Sequence, residues 1–492
     1  KKLQQKHINA LNAAAAPRSI NFDRLFRLPI AAKACTMLQR VITARLPAVL
    51  RARRASSGFR PVIGIECHVQ LNTTTKAFCR CKPSTSAAPN TRVCSVCLGE
   101  PGSLPVASRD APLLGLKAAV ALDCEDLSET LEWDRKNYQY PDLPKGYQIT
   151  QARTPLARSG SVQIDDRRIR ITSLHLEEDS AKTGDILDHN RAGVALAEIV
   201  TEPDMSSGRE AAAFVRELQQ VVKRCGASLA RLEHGELRVD VNVSVTQEGE
   251  ARERVELKNL NSLRAVRLAC DFELRRQALL YENGDSVQRE TLGWNGSSTY
   301  VMRDKGGAAE YRFSPEPDLP PRPLTEALSK LNRVHIEETT PRAARRRCVA
   351  AGVDDETASL LVDRDLDAFL LEAVSYKADA TTCAQWLLGE VAALSTELPP
   401  SFTPRDLADL VGAVAAGTLS RRSAKELLPV LFQEHLGVAA EIDKRGLARV
   451  DDADFMSGIV AEIIDESPDE VALFRAGKTK LRKVLMGRCM KR

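Results

Sequence analysis

At three places in the chain, carboxylate and imidazole groups crowd onto faces with the periodicity of a β-strand. Ile65-Glu66-Cys67-His68-Val69-Gln70-Leu71 alternates strictly, with Glu66, His68 and Gln70 on one face and Ile65, Cys67, Val69 and Leu71 on the other. Arg238-Val239-Asp240-Val241-Asn242-Val243-Ser244-Val245 repeats the pattern, its polar face backed by four valines. Ile169-Arg170-Ile171-Thr172-Ser173-Leu174-His175-Leu176-Glu177 is a looser third case that runs into Glu178 and Asp179. A polar strand face is most often a wet one. These faces hold Glu, His, Asp, Asn and Arg rather than the Lys, Thr and Ser of an ordinary wet face. Laid side by side they would form a floor of carboxylates with an imidazole. Carboxylate oxygens are the hard ligands that Mg²⁺ prefers, usually with water and substrate phosphate completing its shell.

Two further clusters call for chemistry of their own. Cys79-Arg80-Cys81 is followed after twelve residues by Cys94-Ser95-Val96-Cys97. Two close pairs across a short loop fit a tetrahedral Cys₄ zinc site, closed and therefore structural; the alternative is four unrelated buried thiols. The run Trp133-Asp134-Arg135-Lys136-Asn137-Tyr138-Gln139-Tyr140-Pro141-Asp142-Leu143-Pro144-Lys145-Gly146-Tyr147-Gln148 mixes aromatics, cations and turn formers without periodicity. It reads either as a ligand loop whose Arg and Lys meet phosphates or as an ordinary surface loop. No phosphate-binding Gly-rich loop with Gly-Lys-Thr is present, since Gly477-Lys478-Thr479 lacks the earlier glycine and position 472 is Ala. Asn295-Gly296-Ser297-Ser298-Thr299 does not have the pattern of an amidase nucleophile site. Any nucleotide must therefore sit on the sheet with metal help. At the far end Lys478, Lys480, Arg482, Lys483, Arg488, Lys491 and Arg492 make a basic helix, either a solvated face or a phosphate contact.

These residues need a scaffold, and the chain predicts one. Between the Ile169 and Arg238 strands lies a helix capped by Ser207, with Phe214, Leu218, Val221, Val222 and Cys225 as its buried stripe and Gly226 at its end. Alternating strands with intervening helices and few hairpin turns predict an α+β fold with a largely antiparallel sheet. At 492 residues the chain is too long for one compact core. We place a catalytic domain at 58–323, ending in the Pro-rich stretch Pro315–Pro323, a helical domain at 324–400, and a second helical unit at 401–492 after Pro399-Pro400. Residues 1–57 carry twelve Lys and Arg against one acid, Asp23, whereas the remainder holds 58 basic and 65 acidic residues. An Arg- and Ala-rich, acid-poor start reads as an organelle transit peptide, mitochondrial rather than plastid because Ser is scarce; the alternative is a basic arm for nucleic acid. Matrix location predicts reduced thiols. No apolar run is long enough to span a membrane.

Taken together, these stretches resemble the B subunit of the tRNA-dependent amidotransferases. The resemblance is carried by Ile63-Gly64-Ile65-Glu66-Cys67-His68-Val69-Gln70-Leu71-Asn72, Val93-Cys94-Ser95-Val96-Cys97-Leu98-Gly99, Asp134-Arg135-Lys136-Asn137-Tyr138 and Tyr140-Pro141-Asp142-Leu143-Pro144-Lys145-Gly146-Tyr147-Gln148. It continues through His175-Leu176-Glu177-Glu178-Asp179, Asn190-Arg191-Ala192-Gly193, Glu198-Ile199-Val200-Thr201-Glu202-Pro203-Asp204, Glu256-Leu257-Lys258-Asn259-Leu260-Asn261-Ser262 and Pro315-Glu316-Pro317-Asp318-Leu319. It is strong from 60 to about 320 and weak beyond. The chain departs from the family at Ser180-Ala181, where relatives have Ala-Gly, at Val239, where they have Cys, and at Ser314, where they have Phe.

The resemblance implies a cradle-shaped catalytic domain akin to glutamine synthetase, and a helical tail domain that grips tRNA. It implies that ATP phosphorylates the side-chain carboxylate of Glu misacylated onto tRNA(Gln). Ammonia made by an amidase A subunit then displaces phosphate, with a small C subunit clasping the pair. It implies Glu66, His68, Glu178, Glu198 and Asp240 as Mg²⁺ ligands, with Glu66, His68, Glu178, Asp240 and Lys258 in catalysis and Arg135, Lys136, Asn137, Tyr138 and Lys145 at ATP. Glu178 falls on the opposite face from His175 and Glu177, so its place among the ligands requires a bulge or a shifted register. Two other readings compete: a free-standing ATP-dependent carboxylate–amine ligase, suggested by the carboxylate floor, and a non-catalytic RNA-binding scaffold, suggested by the basic tail.

Overall fold

The computed structural model describes residues 58–489 except 85, 248–249, 303–310, 396, 434–436 and 449–452. The transit-peptide segment 1–57 and the last basic residues, Lys491 and Arg492, lie outside the described residues.

The strands, in chain order, are β1 (Phe59–Gln70), β2 (Asp126–Leu127), β3 (Thr130–Leu131), β4 (Asp134–Asn137), β5 (Tyr147–Thr150), β6 (Ala157–Ile164), β7 (Arg167–Glu178), β8 (Ala195–Thr201), β9 (Leu237–Gln247), β10 (Glu250–Ala251), β11 (Val255–Lys258), β12 (Thr291–Trp294), β13 (Thr299–Val301), β14 (Ser314–Pro315) and β15 (Arg322–Pro323). Ten of them form one sheet in the order β13-β12-β11-β9-β1-β8-β7-β6-β2, with β10 alongside β9. Among the described residues every pairing in it is antiparallel except β11 with β12. A three-stranded sheet, β14-β4-β5, stands beside the end of β7, and β15 pairs with β3. The chain is thus mixed α and β, with a large sheet followed by a helical C-terminal region.

Alternation explains why the central strands take these positions. In β9, Val239, Val241 and Val243 are at most 2% exposed, whereas the residues between them are only half-buried. Each such side chain contributes roughly 1.5–3 kcal/mol when fully buried. Their face is covered by α1 (Asp110–Ala121), α2 (Gly208–Arg224) and α3 (Leu263–Glu282), which share one core with the strands. The caps are local. Ser207 Oγ accepts from Glu210 N in α2, and Ser262 Oγ accepts from Ala265 N in α3. Close packing restricts two positions to glycine. A Cβ on Gly115 of α1 would lie 2.6 Å from Leu156 Cδ2, and one on Gly208 would lie 2.2 Å from Arg267 O of α3.

A second core, built around Leu361, Leu370, Trp386, Leu407 and Leu427, belongs to the helices between Cys348 and Ile442. Phe369, Phe402 and Phe432 stack in sequence within it, at 5.6 and 4.9 Å between centroids. Ion pairs tie α2 to this region: Arg216 to Asp363, Arg224 to Asp367 and Glu217 to Arg345. No described helix is long and apolar enough to cross a membrane.

Candidate active site

The face of the sheet turned away from α1–α3 carries the polar side chains. Residues directly opposite each other in an antiparallel ladder project to the same side. Glu66 stands opposite Asp240, His68 opposite both Arg238 and Glu198, and Glu198 opposite His175. Glu66, His68 and Asp240 bring one potential ligand atom each within 4.8 Å of one another, and so do His68, Glu177 and Glu198. His68 is common to both groups. Its Nε2 lies 3.7 Å from Glu66, 3.5 Å from Glu177 and 3.8 Å from Glu198. His175 Nε2 is 2.6 Å from Glu198 Oε2. At the outer edge Lys258 Nζ is 2.7 Å from Asp240 and 2.9 Å from Glu256.

Crowding of like charges governs the electrostatics here. Burial, a hydrogen bond to Glu198 and the charges of Glu198 and Asp240 push the Glu66 carboxyl up to about 9. Burial and the Glu198 charge likewise hold Glu177 well above the usual carboxylate range. Burial also raises Glu198, but the His175 hydrogen bond and charge outweigh it and hold this carboxyl below the usual range. Burial lowers the His68 imidazole, keeping it neutral at pH 7. Burial disfavours the Lys258 ammonium, but Asp240 and Glu256 overcome that and raise it. A divalent cation fits this set: oxygen donors with a neutral imidazole, and packed carboxylates whose repulsion it would relieve.

Glu178 does not join them. The only irregularity in the β7–β8 register falls between Ile171 and Ser173, so β7 is regular through its last residues. Glu177 therefore takes the place next to His68, and Glu178 points to the opposite side. There it pairs with Lys145 and accepts from Ile149 N at 3.0 Å. Expecting Glu178 beside His68 is thus corrected in favour of Glu177, by strand parity. The loop cations are largely committed as well. Arg135 makes a bidentate pair with the buried Glu316, 2.8 Å on each arm, and reaches Asp318. The Asn137 side chain donates to Arg312 O at 2.6 Å. Tyr138 is half-buried, and its hydroxyl is held up by burial and by the charges of Asp142, Glu177, Glu178 and Asp179. Lys136 has no carboxylate within 4 Å among the described residues; its Nζ lies over the Tyr311 ring, 4.6 Å from the centroid.

Cys79, Cys81, Cys94 and Cys97 converge, with all four sulfurs within 4.8 Å of one another. Cys94 N donates to Cys97 Sγ at 3.1 Å. A hydrogen bond from Cys79 draws the Cys97 thiol down to about 4, while burial pushes Cys81 up to about 11. One thiolate stabilised by neighbouring thiols is the ligand chemistry a tetrahedral zinc ion completes. The intervening loop is pinned at Asn90, which donates to Leu187 O and accepts from His189 N. All described cysteines are free.

Residues 61–330 match the family described as the GatB/GatE catalytic domain, and residues 368–492 match the GatB domain. This chain belongs to the GatB/GatE family. Among its relatives is the B subunit of the chloroplastic/mitochondrial glutamyl-tRNA(Gln) amidotransferase of Sorghum bicolor, 39% identical over 468 residues, covering 89% of this chain and 85% of the relative. The protein of the same name from Physcomitrium patens is 38% identical, covering 88% of this chain and 82% of the relative. The B subunit of the aspartyl/glutamyl-tRNA(Asn/Gln) amidotransferase of Synechococcus elongatus is 38% identical, covering 88% of this chain and 94% of the relative.

In this GatB/GatE chain three residues of the cluster lie on polar strand faces that the sequence shows without giving them a role: His175, Glu177 and Arg238. His175 and Glu177 share parity with each other, a signal present in the alternation of Ile169–Glu177. Arg238 lies on a predicted polar face, but nothing in the sequence names its partner; its Nη2 donates to Asp179 at 3.0 Å, closing the floor on that side. A cleft of about 700 Å³ lies on the helix side of the sheet among α1, α2 and β6. It mixes Arg168, Arg333, Arg342 and Arg346 with Asp123 and Glu125, and none of the grouped metal-type ligands lines it.

Proposed function

We propose that this protein is the B subunit of a glutamyl-tRNA(Gln) amidotransferase. In this role it catalyses the ATP-dependent amidation of Glu-tRNA(Gln) to Gln-tRNA(Gln). The observation that carries the proposal is the convergence of Glu66, His68, Glu177, Glu198 and Asp240 on one sheet face in a chain of this family. The names of its relatives support the substrate and the subunit role.

The chemistry explains why such a face is needed. A carboxylate is a poor acyl donor, because its leaving group would be oxide. Transfer of the γ-phosphoryl group from ATP to the Glu side chain gives ADP and an acyl phosphate. Ammonia then attacks the acyl carbon, phosphate leaves, and the tetrahedral centre sheds a proton to give the amide. Glu66, His68 and Asp240, with Glu177 and Glu198 adjoining, would hold Mg²⁺, which when bound would offset the charge of the phosphates. Lys258 holds Asp240 in place at that group through their 2.7 Å ion pair. Arg238 and Lys136 both bring positive charge near Glu177. Arg135 and Asn137 position β14 through Glu316 and Arg312 rather than meeting phosphate themselves. Lys145 and Glu178 form a buried pair behind the site.

The wider setting follows from the same reading. The chain has no amidase nucleophile motif, so ammonia comes from an amidase A subunit, with a small C subunit completing the complex. The catalytic domain has the cradle form akin to glutamine synthetase, the four cysteines hold a structural zinc ion, and the tail helices bind tRNA. We place the protein in an organelle, as relatives named chloroplastic/mitochondrial support, and within that in the mitochondrial matrix. The test is reconstitution with an amidase partner, glutamine, ATP, Mg²⁺ and Glu-tRNA(Gln). Gln-tRNA is expected only with all components; product made by this chain alone from free ammonia and no tRNA would favour a free-standing ligase instead.

A further inference from the structure

A row of aromatic rings lies on the β14-β4-β5 sheet, beside the end of β7. Tyr140 and Tyr138 lie 5.8 Å apart between ring centroids, Tyr138 and Tyr311 6.2 Å, and Tyr311 and Phe313 6.2 Å. The interplanar angles of 53°, 75° and 59° show that the rings are tilted rather than stacked on one another. Tyr311 is 38% and Phe313 50% exposed.

The row is anchored at the site end. It rides on the β14-β4-β5 sheet, whose strand β5 is bonded to the end of β7: Gln148 Nε2 donates to Glu178 O at 2.7 Å and Ile149 N to Glu178 Oε1 at 3.0 Å. Asn137 N donates to Tyr311 O at 2.8 Å, and the Asn137 side chain holds Arg312 O. Arg312 sits at φ +40°, a left-handed conformation rare for a residue with a side chain, so the backbone turns sharply between the two exposed rings. Lys136, the loop cation without a carboxylate partner among the described residues, lies over Tyr311.

Exposed rings interleaved with a cation are the chemistry that holds unpaired nucleotides: bases stack on the rings and phosphate meets the ammonium. We propose that Tyr138, Tyr311 and Phe313, with Lys136, form the platform on which the unpaired 3′ end of the acylated tRNA lies as it delivers its aminoacyl group to the carboxylate floor. The inference rests on the amidotransferase reading and adds the subsite for the RNA end. A row of several rings suits consecutive nucleotides of a strand, whereas the base of one ATP needs a single face.

The test uses the assembled complex and a tRNA whose 3′-terminal base is 2-aminopurine, whose fluorescence is quenched by stacking. Binding to the unaltered complex is expected to quench it. The double substitution Tyr311→Ala, Phe313→Ala is expected to abolish quenching and raise KM for Glu-tRNA about tenfold, leaving KM for ATP unchanged. Tyr311→Phe keeps the ring and should retain both quenching and KM, separating loss of stacking from loss of fold. Quenching that survives the double substitution overturns the proposal, as does a rise in KM for ATP with KM for tRNA unchanged. Should the unaltered complex amidate no tRNA, the amidotransferase reading fails, while the quenching series still decides whether these rings hold an RNA end.

Discussion

The protonation state of Glu66 predicts a specific pH dependence for magnesium binding. Its carboxyl is pushed up to about 9 by burial, by Glu198 and by Asp240, so at pH 7 the metal-free protein holds it protonated. Mg²⁺ takes the ionised oxygen, and binding must therefore expel that proton. Each pH unit below 9 weakens the apparent affinity about tenfold per proton released, so affinity should rise about a hundredfold from pH 7 to pH 9 and level off above it. His68 adds nothing to the slope, because burial keeps it neutral throughout this range. The same raised carboxyl fixes the sign for stability. A group whose folded value exceeds its unfolded value favours the fold at low pH, and that contribution is lost as pH climbs from 4.5 through about 9. Stabilisation by Mg²⁺ should accordingly grow with pH over the same window. Isothermal titration calorimetry of the assembled complex without ATP, in buffers of different ionisation enthalpy, counts the protons directly. Binding that is flat from pH 6.5 to 8.5, or a slope that survives Glu66→Gln, would refute the reasoning.

Other perturbations test the surroundings. His175→Ala removes the 2.6 Å contact that holds Glu198 in place; amidation at limiting Mg²⁺ should fall roughly 10–100-fold and recover in part at high Mg²⁺. Gly115→Ala places a methyl 2.6 Å from Leu156 Cδ2 in the core under α1, so the unfolding free energy from denaturant titration should fall by about 1–3 kcal/mol. Cys94→Ser takes one of four converging thiols, and metal analysis should show zinc content dropping from one equivalent towards none, with a lower melting temperature. Arg135→Ala leaves Glu316 buried without its guanidinium partner, a loss of about 3–5 kcal/mol that thermal unfolding would register.

What can be read in the sequence, and what cannot, divides along the range of the interactions. Period-two alternation puts Glu66 and His68 on one face and Asp240 with Arg238 on another, because parity is a local property of a strand. It cannot say that the two faces are one surface; that needs the β1–β9 register, which puts Glu66 opposite Asp240. Glu178 is ambiguous in the sequence for the same reason: alternation sets it against Glu177, and the motif resemblance sets it with the ligands. The regular end of β7 decides the matter by turning Glu178 to Lys145. The loop from Trp133 to Gln148 has no periodicity to read. Its meaning lies in partners remote along the chain, such as Glu316, 181 residues from Arg135.

That division explains why so many cations near the floor are spoken for. Arg135, Lys145 and Lys258 each neutralise a carboxylate, and so does Arg238 through Asp179. Their positive charge offsets acids at the edges, but the centre, where Glu66, Glu177 and Glu198 surround His68, has no lysine or arginine within ion-pair distance among the described residues. Burial and the Glu198 charge raise both Glu66 and Glu177 there, whereas the hydrogen bond from His175 goes to Glu198 and lowers it. Such a distribution is unfavourable for the isolated fold and favourable for a doubly charged ion carrying a polyphosphate. Arg135, Lys145 and Arg238 then occupy Glu316, Glu178 and Asp179 and keep those carboxylates from competing for that ion, which confines it to the place where a side-chain carboxyl arriving along the aromatic row would meet it.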